Sequence, residues 1–467
     1  MNQQQKSLVT LTENYTYQTK KSKQFMEKYR PIMADPRAVW GFNLPMKEMC
    51  YPIVGKRSSG CKIWDIDGNE YVDLVMGFGS NIFGHNPSFI KNAIAEQLEQ
   101  GIQLGPQSEL AGEVAELICE LTGVERVAIS NTGTEAVMTA IRLARAATNR
   151  SKIVMFSGSY HGHFDGTLVK TGVNSGEGKA EAIAPGIPDK IVEDVLILDY
   201  GNPRSLEIIK SQGNQLAAVL VEPVQSSRIN LQPKEFLQQL RQVTETLGIA
   251  LIFDEMVTGF RIHLGGAQAW FDVQADIVAY GKIVGGGMSI GIIAGKANYL
   301  DRIDGGMWNY GDASSPQIKK TFFAGTHCKH PLSMAAARAV LMQLKVQGNS
   351  LQEELNLRTS QFVNKLNSYF ESEKLPIRMT NFGSLFGPIS SGNSEASENA
   401  TADIGINLLS YHLTHRGVLL LRGGGFLSTA HTDADLDRIF QAVKDSVAEL
   451  QTGGFLPIPA AKFSQVR

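Results

Sequence analysis

The chain has 467 residues, 43% hydrophobic and 19% charged, enough apolar material for a full core and too much for disorder over most of its length. Lysine and arginine number 44 against 46 aspartates and glutamates, a net charge of −2, so no basic excess exists to neutralise phosphates and a nucleic-acid binder is excluded. The longest apolar runs, such as 216–221 and 249–253, are strand-sized and far below the ~18 residues of a membrane helix. The opening MNQQQKSLVTLTENYTY has no apolar h-region, and Cys50, Cys61, Cys119 and Cys328 form no CxxC pair, so a cytosolic enzyme with reduced thiols is expected.

Residues 1–35 are polar and read either as a leader helix or arm, or as a solvated tail. In the segment 36–107, CKIWDIDGNEYVDLVMG alternates apolar and polar residues around Asp67-Gly68, which predicts a β-hairpin. From 108 to 345 helices alternate with short β-branched strands. Helices are expected at Ser108–Leu121, Ala136–Ala147 and Pro233–Thr246, and strands at Arg126–Ser130, Ile153–Phe156, Ala217–Val221, Ala250–Asp254 and Ile277–Tyr280. That alternation predicts a large α/β domain with a mostly parallel sheet flanked by helices. A long helix follows Pro331, and 346–467 reads as a small α+β domain, with the Ser-, Asn- and Glu-rich stretch 390–401 as an exposed loop.

Five places carry chemistry, four of them at strand ends and the fifth just before the helix that Pro331 opens. Ser130–Ala136 (SNTGTEA) lies between a strand and a helix, where free amides, a glycine and threonine hydroxyls form an anion site, or an ordinary N-cap. It is neither a Walker loop nor a GxGxxG fingerprint. Tyr160-His161-Gly162-His163 puts an aromatic where α/β sheets bind flat ligands; the His-x-His pair also invites a metal, without a third ligand at suitable spacing. Asp254 ends an apolar strand, where a carboxylate needs a cationic partner such as a protonated pyridine nitrogen, unless it caps a turn. Lys282 follows another apolar strand and precedes Gly285-Gly286-Gly287, a place for a desolvated, imine-forming amine. Gly325 and Thr326 offer a second amide and hydroxyl to a phosphate, or a simple turn. Together these make a phosphate cradle, a stacking ring, a pyridinium carboxylate and an imine lysine, the set that pyridoxal 5′-phosphate (PLP) requires.

In order and spacing, NTGTEA, YHGH, VEPV, LIFDEMVTGFR, the Lys282 segment and TFFAGTH resemble the motifs of class III aminotransferases, PLP enzymes of fold type I, from about residue 35 to the C-terminus. WDIDGNEYVDLVMGFGSNIFGH, SYHGHFDGTLVKTG and FLSTAH are similar to the glutamate-1-semialdehyde aminomutases. The resemblance implies that Lys282 holds PLP as an imine and shuttles the proton, that Asp254 pairs with the pyridine nitrogen, and that Tyr160 and Met256 sandwich the ring. It implies Gly133 and Thr134 as phosphate ligands, with Thr326 reaching the phosphate in a neighbouring subunit, hence a homodimer. Glu222, Gln225 and Ser227 are implied beside the cofactor's phenolic oxygen and the substrate. Arg37, Arg261 and Arg422 are candidates for the donor carboxylate, unless they serve structural ion pairs.

One departure stands out: Gly423 aligns where the mutases carry a glutamate that faces the diamine intermediate. APGIPDKIVEDVLILDYGNPRSLEIIK and TKKSKQFMEKYRP resemble aminotransferase domains of hybrid polyketide–peptide synthases, which aminate a β-ketoacyl group on a carrier protein. The leading expectation is therefore transfer from an amino-acid donor, usually glutamate or glutamine in this family, to such a carrier-bound ketone. The alternatives are a glutamate-1-semialdehyde aminomutase or ω-amino acid aminotransferase on free small acids, a silent PLP-fold binding module, and a metal hydrolase built on His161 and His163.

Overall fold

The computed structural model describes residues 1–172, 178–389, 400–421 and 423–458, with side chains of 400–406 left out; the stretch 390–399 and Arg422 lie outside the described residues. The chain divides into a larger unit, Ser88–Asn356, and a smaller one that joins 1–87 to 357 onward. The helix Ser88–Gln100 thus belongs to the larger unit, which extends past the expected limits of 108 and 345 at both ends.

The larger unit is built on seven strands: β1 Arg126–Ser130, β2 Lys152–Phe156, β3 Val195–Leu198, β4 Leu216–Val221, β5 Ala250–Asp254, β6 Ile277–Gly281 and β7 Gly291–Gly295. Their order is β1-β7-β6-β5-β4-β2-β3. Only β7 runs antiparallel, to both β6 and β1, so the other six point the same way. Strands β4, β5, β6 and β7 are buried at every position, which is why they read as continuous apolar runs rather than alternating ones. The helix Gly133–Thr148 buries Ala136, Ala140 and Ala144 one turn apart, and these small residues pack with Ile252, Ala279 and Ile293 of the sheet in one core. The helices Leu110–Thr122, Lys234–Leu247 and Pro331–Gln347 lie within two residues of their expected places.

In this sheet the residues after β1, β2, β4, β5 and β6 all emerge at the carboxyl edge, where open α/β sheets bind ligands.

The smaller unit contains an antiparallel hairpin, Lys62–Asp65 with Glu70–Asp73, turning through Gly68 at φ +98°. The N-terminus is folded: Gln3–Gln18 and Lys20–Tyr29 are helices. Tyr15 is buried with its ring 5.7 Å from Tyr51 and 5.4 Å from Tyr411. Asp67 of the hairpin turn accepts from the amides of Lys21 (2.6 Å) and Ser22 (3.1 Å), capping the second helix. A solvated tail is therefore the wrong reading of 1–35. Among the described residues no helix is long and apolar enough to cross a membrane.

Candidate active site

The five loops at the carboxyl edge of the large sheet bring most of the expected residues together. Asp254 ends β5 between two buried strands and is 4% exposed. Its Oδ2 lies 2.8 Å from His161 Nδ1, and its Oδ1 accepts from the Met256 amide at 3.1 Å. The His161 side chain is fully buried, and its Nε2 meets no hydrogen-bond partner among the described residues. His163 is exposed and donates its amide to Thr134 Oγ1 at 3.3 Å, and among the described residues no group of three His, Cys, Asp or Glu side chains is placed to hold a metal ion.

The helix Gly133–Thr148 starts at the end of β1. Thr132 caps it by accepting from Glu135 N (3.1 Å), while Glu135 reaches back to Asn131 N (2.7 Å). That cap leaves the amides of Gly133 and Thr134 to face outward from the helix start, as first-turn amides do. Gly162, at φ +82°, lies so close to this turn that a Cβ would stand 2.4 Å from Thr134 Oγ1. Met256 fills the space beside two glycines: a Cβ on Gly133 would come within 2.8 Å of its Sδ, and one on Gly281 within 2.7 Å. The Tyr160 ring, by contrast, is 67% exposed.

Lys282 is the first residue beyond β6 and takes φ +44°, a left-handed backbone that a lysine adopts only when its surroundings impose it. Burial pulls its amine below the ordinary lysine range, and the buried Arg261 guanidinium adds to this; the carboxylates of Asp254 and Glu222 oppose it. Glu222 is itself pushed up by burial, with its oxygens accepting from the amides of Tyr160 (2.9 Å) and Ser226 (3.3 Å). Arg261 is fully buried, donates from Nε to Val257 O (2.8 Å), and is depressed to about 9 by desolvation.

Gln225 departs from its expected role. Gln225 is completely buried, its Nε2 donating to Ser157 O (3.0 Å) and its Oε1 accepting from Arg228 Nε (2.8 Å). An amide spent this way shapes the loop and does not face substrate. Arg37 belongs to the smaller unit, where Asp35 pairs with its guanidinium at 3.0 Å. Arg422 lies outside the described residues. Thr326 is exposed in a groove of about 510 Å³ lined by 103–107, 323–326, Cys328 and Lys329.

Sequence reasoning missed two supports of the site. His161 reads as a metal-ligand candidate in sequence, because its contact with Asp254 spans 93 positions and no local pattern reports it. Glu255 lies beneath Asp254, fully buried, and accepts from Ala267 N (2.6 Å), Gln268 N (3.1 Å) and Thr258 Oγ1 (3.1 Å); burial raises it to about 7. Nothing in the local sequence separates it from an ordinary turn carboxylate.

The arrangement fits PLP on its own chemistry: a buried carboxylate held by a buried imidazole, an amine kept below its usual range, and a helix start with glycine where a methyl would collide. The model of the class III aminotransferases matches residues 45–443. A glutamate-1-semialdehyde 2,1-aminomutase of Chloroflexus aggregans is 34% identical over 415 residues, covering 85% of this chain and 91% of that protein. An omega-transaminase of Sphaerobacter thermophilus superposes with a TM-score of 0.82 at 27% identity, covering 92% and 98% of the two chains. A β-phenylalanine aminotransferase of Variovorax paradoxus gives 0.80 at 28%, covering 97% and 99%. The chain belongs to the class III aminotransferases, enzymes of fold type I that depend on PLP.

Proposed function

We propose that this enzyme moves an amino group on free small amino and oxo acids, in the manner of the glutamate-1-semialdehyde aminomutases and ω-amino acid aminotransferases. The observation that carries this is the 34% identity to a named aminomutase across 85% of the chain. PLP bound at Lys282 supplies the electron sink that lets an amino acid's Cα–H ionise.

The chain's own residues do the rest. Lys282, depressed toward its uncharged form, takes the Cα proton and returns it as general base and acid. Asp254, held by His161, keeps the ring nitrogen protonated. Tyr160 and Met256 would pack against the cofactor ring, and the amides of Gly133 and Thr134 would hold its phosphate. In a homodimer, Thr326 of the partner subunit completes that phosphate site.

A second reading, a β-ketoacyl acceptor on a carrier protein, is favoured by Gly423, which offers no carboxylate where the mutases have one. The β-phenylalanine aminotransferase shows that this fold serves β-amino acids in another protein. One experiment separates the readings. The PLP-loaded enzyme is given glutamate-1-semialdehyde alone, then glutamate or glutamine with a free β-keto acid, then the same keto acid as a carrier or pantetheine thioester. Turnover of either free acid supports the proposal. Turnover confined to the thioester transfers the assignment to the carrier-bound acceptor.

A further inference from the structure

The turn that presents Tyr160 is fastened from one side by the loop after β4. Gln225 Nε2 and Arg228 Nη2 both donate to Ser157 O, at 3.0 and 2.5 Å. Arg228 Nε donates to Gln225 Oε1 at 2.8 Å, which fixes the amide between the guanidinium and that carbonyl. Ser227 Oγ donates to Gly158 O at 2.6 Å, and Glu222 takes the Tyr160 amide itself at 2.9 Å. Gly158, at φ +83°, permits the approach, since a Cβ there would stand 3.2 Å from Arg228 Nε. Ser157, Gly158 and Tyr160 are therefore each bonded to 222–228, while Ser159 turns back to Phe156 O. The Tyr160 ring, 67% exposed, owes its position to that backbone rather than to packing around it.

We propose that Arg228 is a positioning residue: with Gln225 it clasps the Ser157–Tyr160 turn and presets the tyrosine ring as a platform for the cofactor. It touches neither cofactor nor reacting atoms. A ring set in its bound orientation beforehand loses less freedom on stacking, so the clasp acts on cofactor affinity and tilt. This rests on the assignment of Tyr160 to the ring face.

The test uses full-length protein freed of cofactor and titrated with PLP, reading the dissociation constant and the visible circular dichroism of the bound cofactor. Arg228→Ala is expected to weaken PLP binding roughly tenfold, as loss of outer supports does around other bound groups, and to reduce the dichroism. Arg228→Lys, which keeps one donor, should recover part of both. In a Tyr160→Ala background, Arg228→Ala should add almost nothing, because its effect runs through the ring. Ser227→Ala, which removes one bond only, gives a smaller loss of the same kind and serves if Arg228→Ala does not fold. Unchanged affinity and dichroism in Arg228→Ala and Ser227→Ala, or an equal loss with and without Tyr160, overturns the clasp. A lowered melting temperature with unaltered dichroism also overturns it, by showing a merely structural role. Wild-type PLP affinity in Tyr160→Ala alone overturns the ring assignment instead.

Discussion

His161 Nδ1 stands 2.8 Å from Asp254 Oδ2, with both side chains shut away from water. A carboxylate in that position loses hydration and needs donors that survive the low dielectric: the imidazole serves Oδ2, and the Met256 amide serves Oδ1. His161→Ala should leave the protein folded and able to bind PLP, yet reduce the rate of the first half-reaction with an amino acid by roughly 10- to 100-fold. His161→Asn, whose side-chain amide can replace Nδ1–H, should retain more of the rate than alanine does. Stopped-flow absorbance of the bound cofactor makes the comparison; equal losses in both variants would show that the hydrogen bond is not what matters.

Lys282 carries a stability cost with its function. Its amine is depressed by burial and by Arg261, so the folded chain binds fewer protons than the unfolded chain between the depressed value and the ordinary lysine range. Across that window, stability of the cofactor-free protein rises with pH. It is lowest below the depressed value, where the cation must form in place. Lys282→Met should therefore raise the melting temperature of the cofactor-free protein at neutral pH and flatten its dependence on alkaline pH. The same change should lower turnover by at least roughly a thousandfold, the general acid and base being gone. A melting temperature that falls on substitution would show the amine to be well accommodated.

Much of this was legible beforehand, for a physical reason. Strands β4, β5 and β6 are buried on both faces, so their apolar runs announce them, and the residue ending each run sits at the edge where ligands bind. Asp254 and Lys282 are read off in this way. Strand β7 was not, because Gly291 and Gly295 at its ends look like loop. Gly291 is there since a Cβ would stand 2.0 Å from Thr132 O, a contact made across 159 positions of sequence, and no local pattern reports it. Gln225 was misjudged for a like reason: a loop sequence does not say which polar side chain turns inward. The N-terminal helices are polar by composition, and only the burial of Leu11 and Tyr15 against later segments reveals that they are folded.

The glycines around Met256 grade by what they would strike. The three atoms nearest a Cβ at Gly133 all belong to the Met256 side chain, with Sδ at 2.8 Å, whereas one at Gly281 also meets Ile290 O at 3.1 Å. Gly133→Ala should therefore cost about 1–3 kcal/mol or less and express itself as weaker PLP binding, relieved when Met256→Ala is added. Gly281→Ala should be relieved only in part, and Gly291→Ala should unfold the edge of the sheet. Melting curves and PLP titrations of the three glycine variants, and of the first two with Met256→Ala added, test the order. A Gly133→Ala protein that Met256→Ala fails to rescue would contradict the packing described here.

Gly423 offers the most direct test of substrate choice. It adopts φ +79°, and an added Cβ would find Pro388 Cγ and Cδ at 3.6 and 3.7 Å, an ordinary contact. A Cβ is accommodated there, and the backbone cost of Gly423→Glu is that of the left-handed conformation, about 1–2 kcal/mol. The variant should fold with a modestly lower melting temperature. If the missing carboxylate is what separates this enzyme from the mutases, Gly423→Glu should raise isomerisation of glutamate-1-semialdehyde relative to exchange with an external oxo acid. A longer side chain at that position should also impair any thioester-linked acceptor more than a free acid. The ratio of the two products from one mixed incubation reads both effects. A ratio identical to that of the parent enzyme would mean that Gly423 has no part in selecting the acceptor, and would leave the aminomutase-like reading without its main objection.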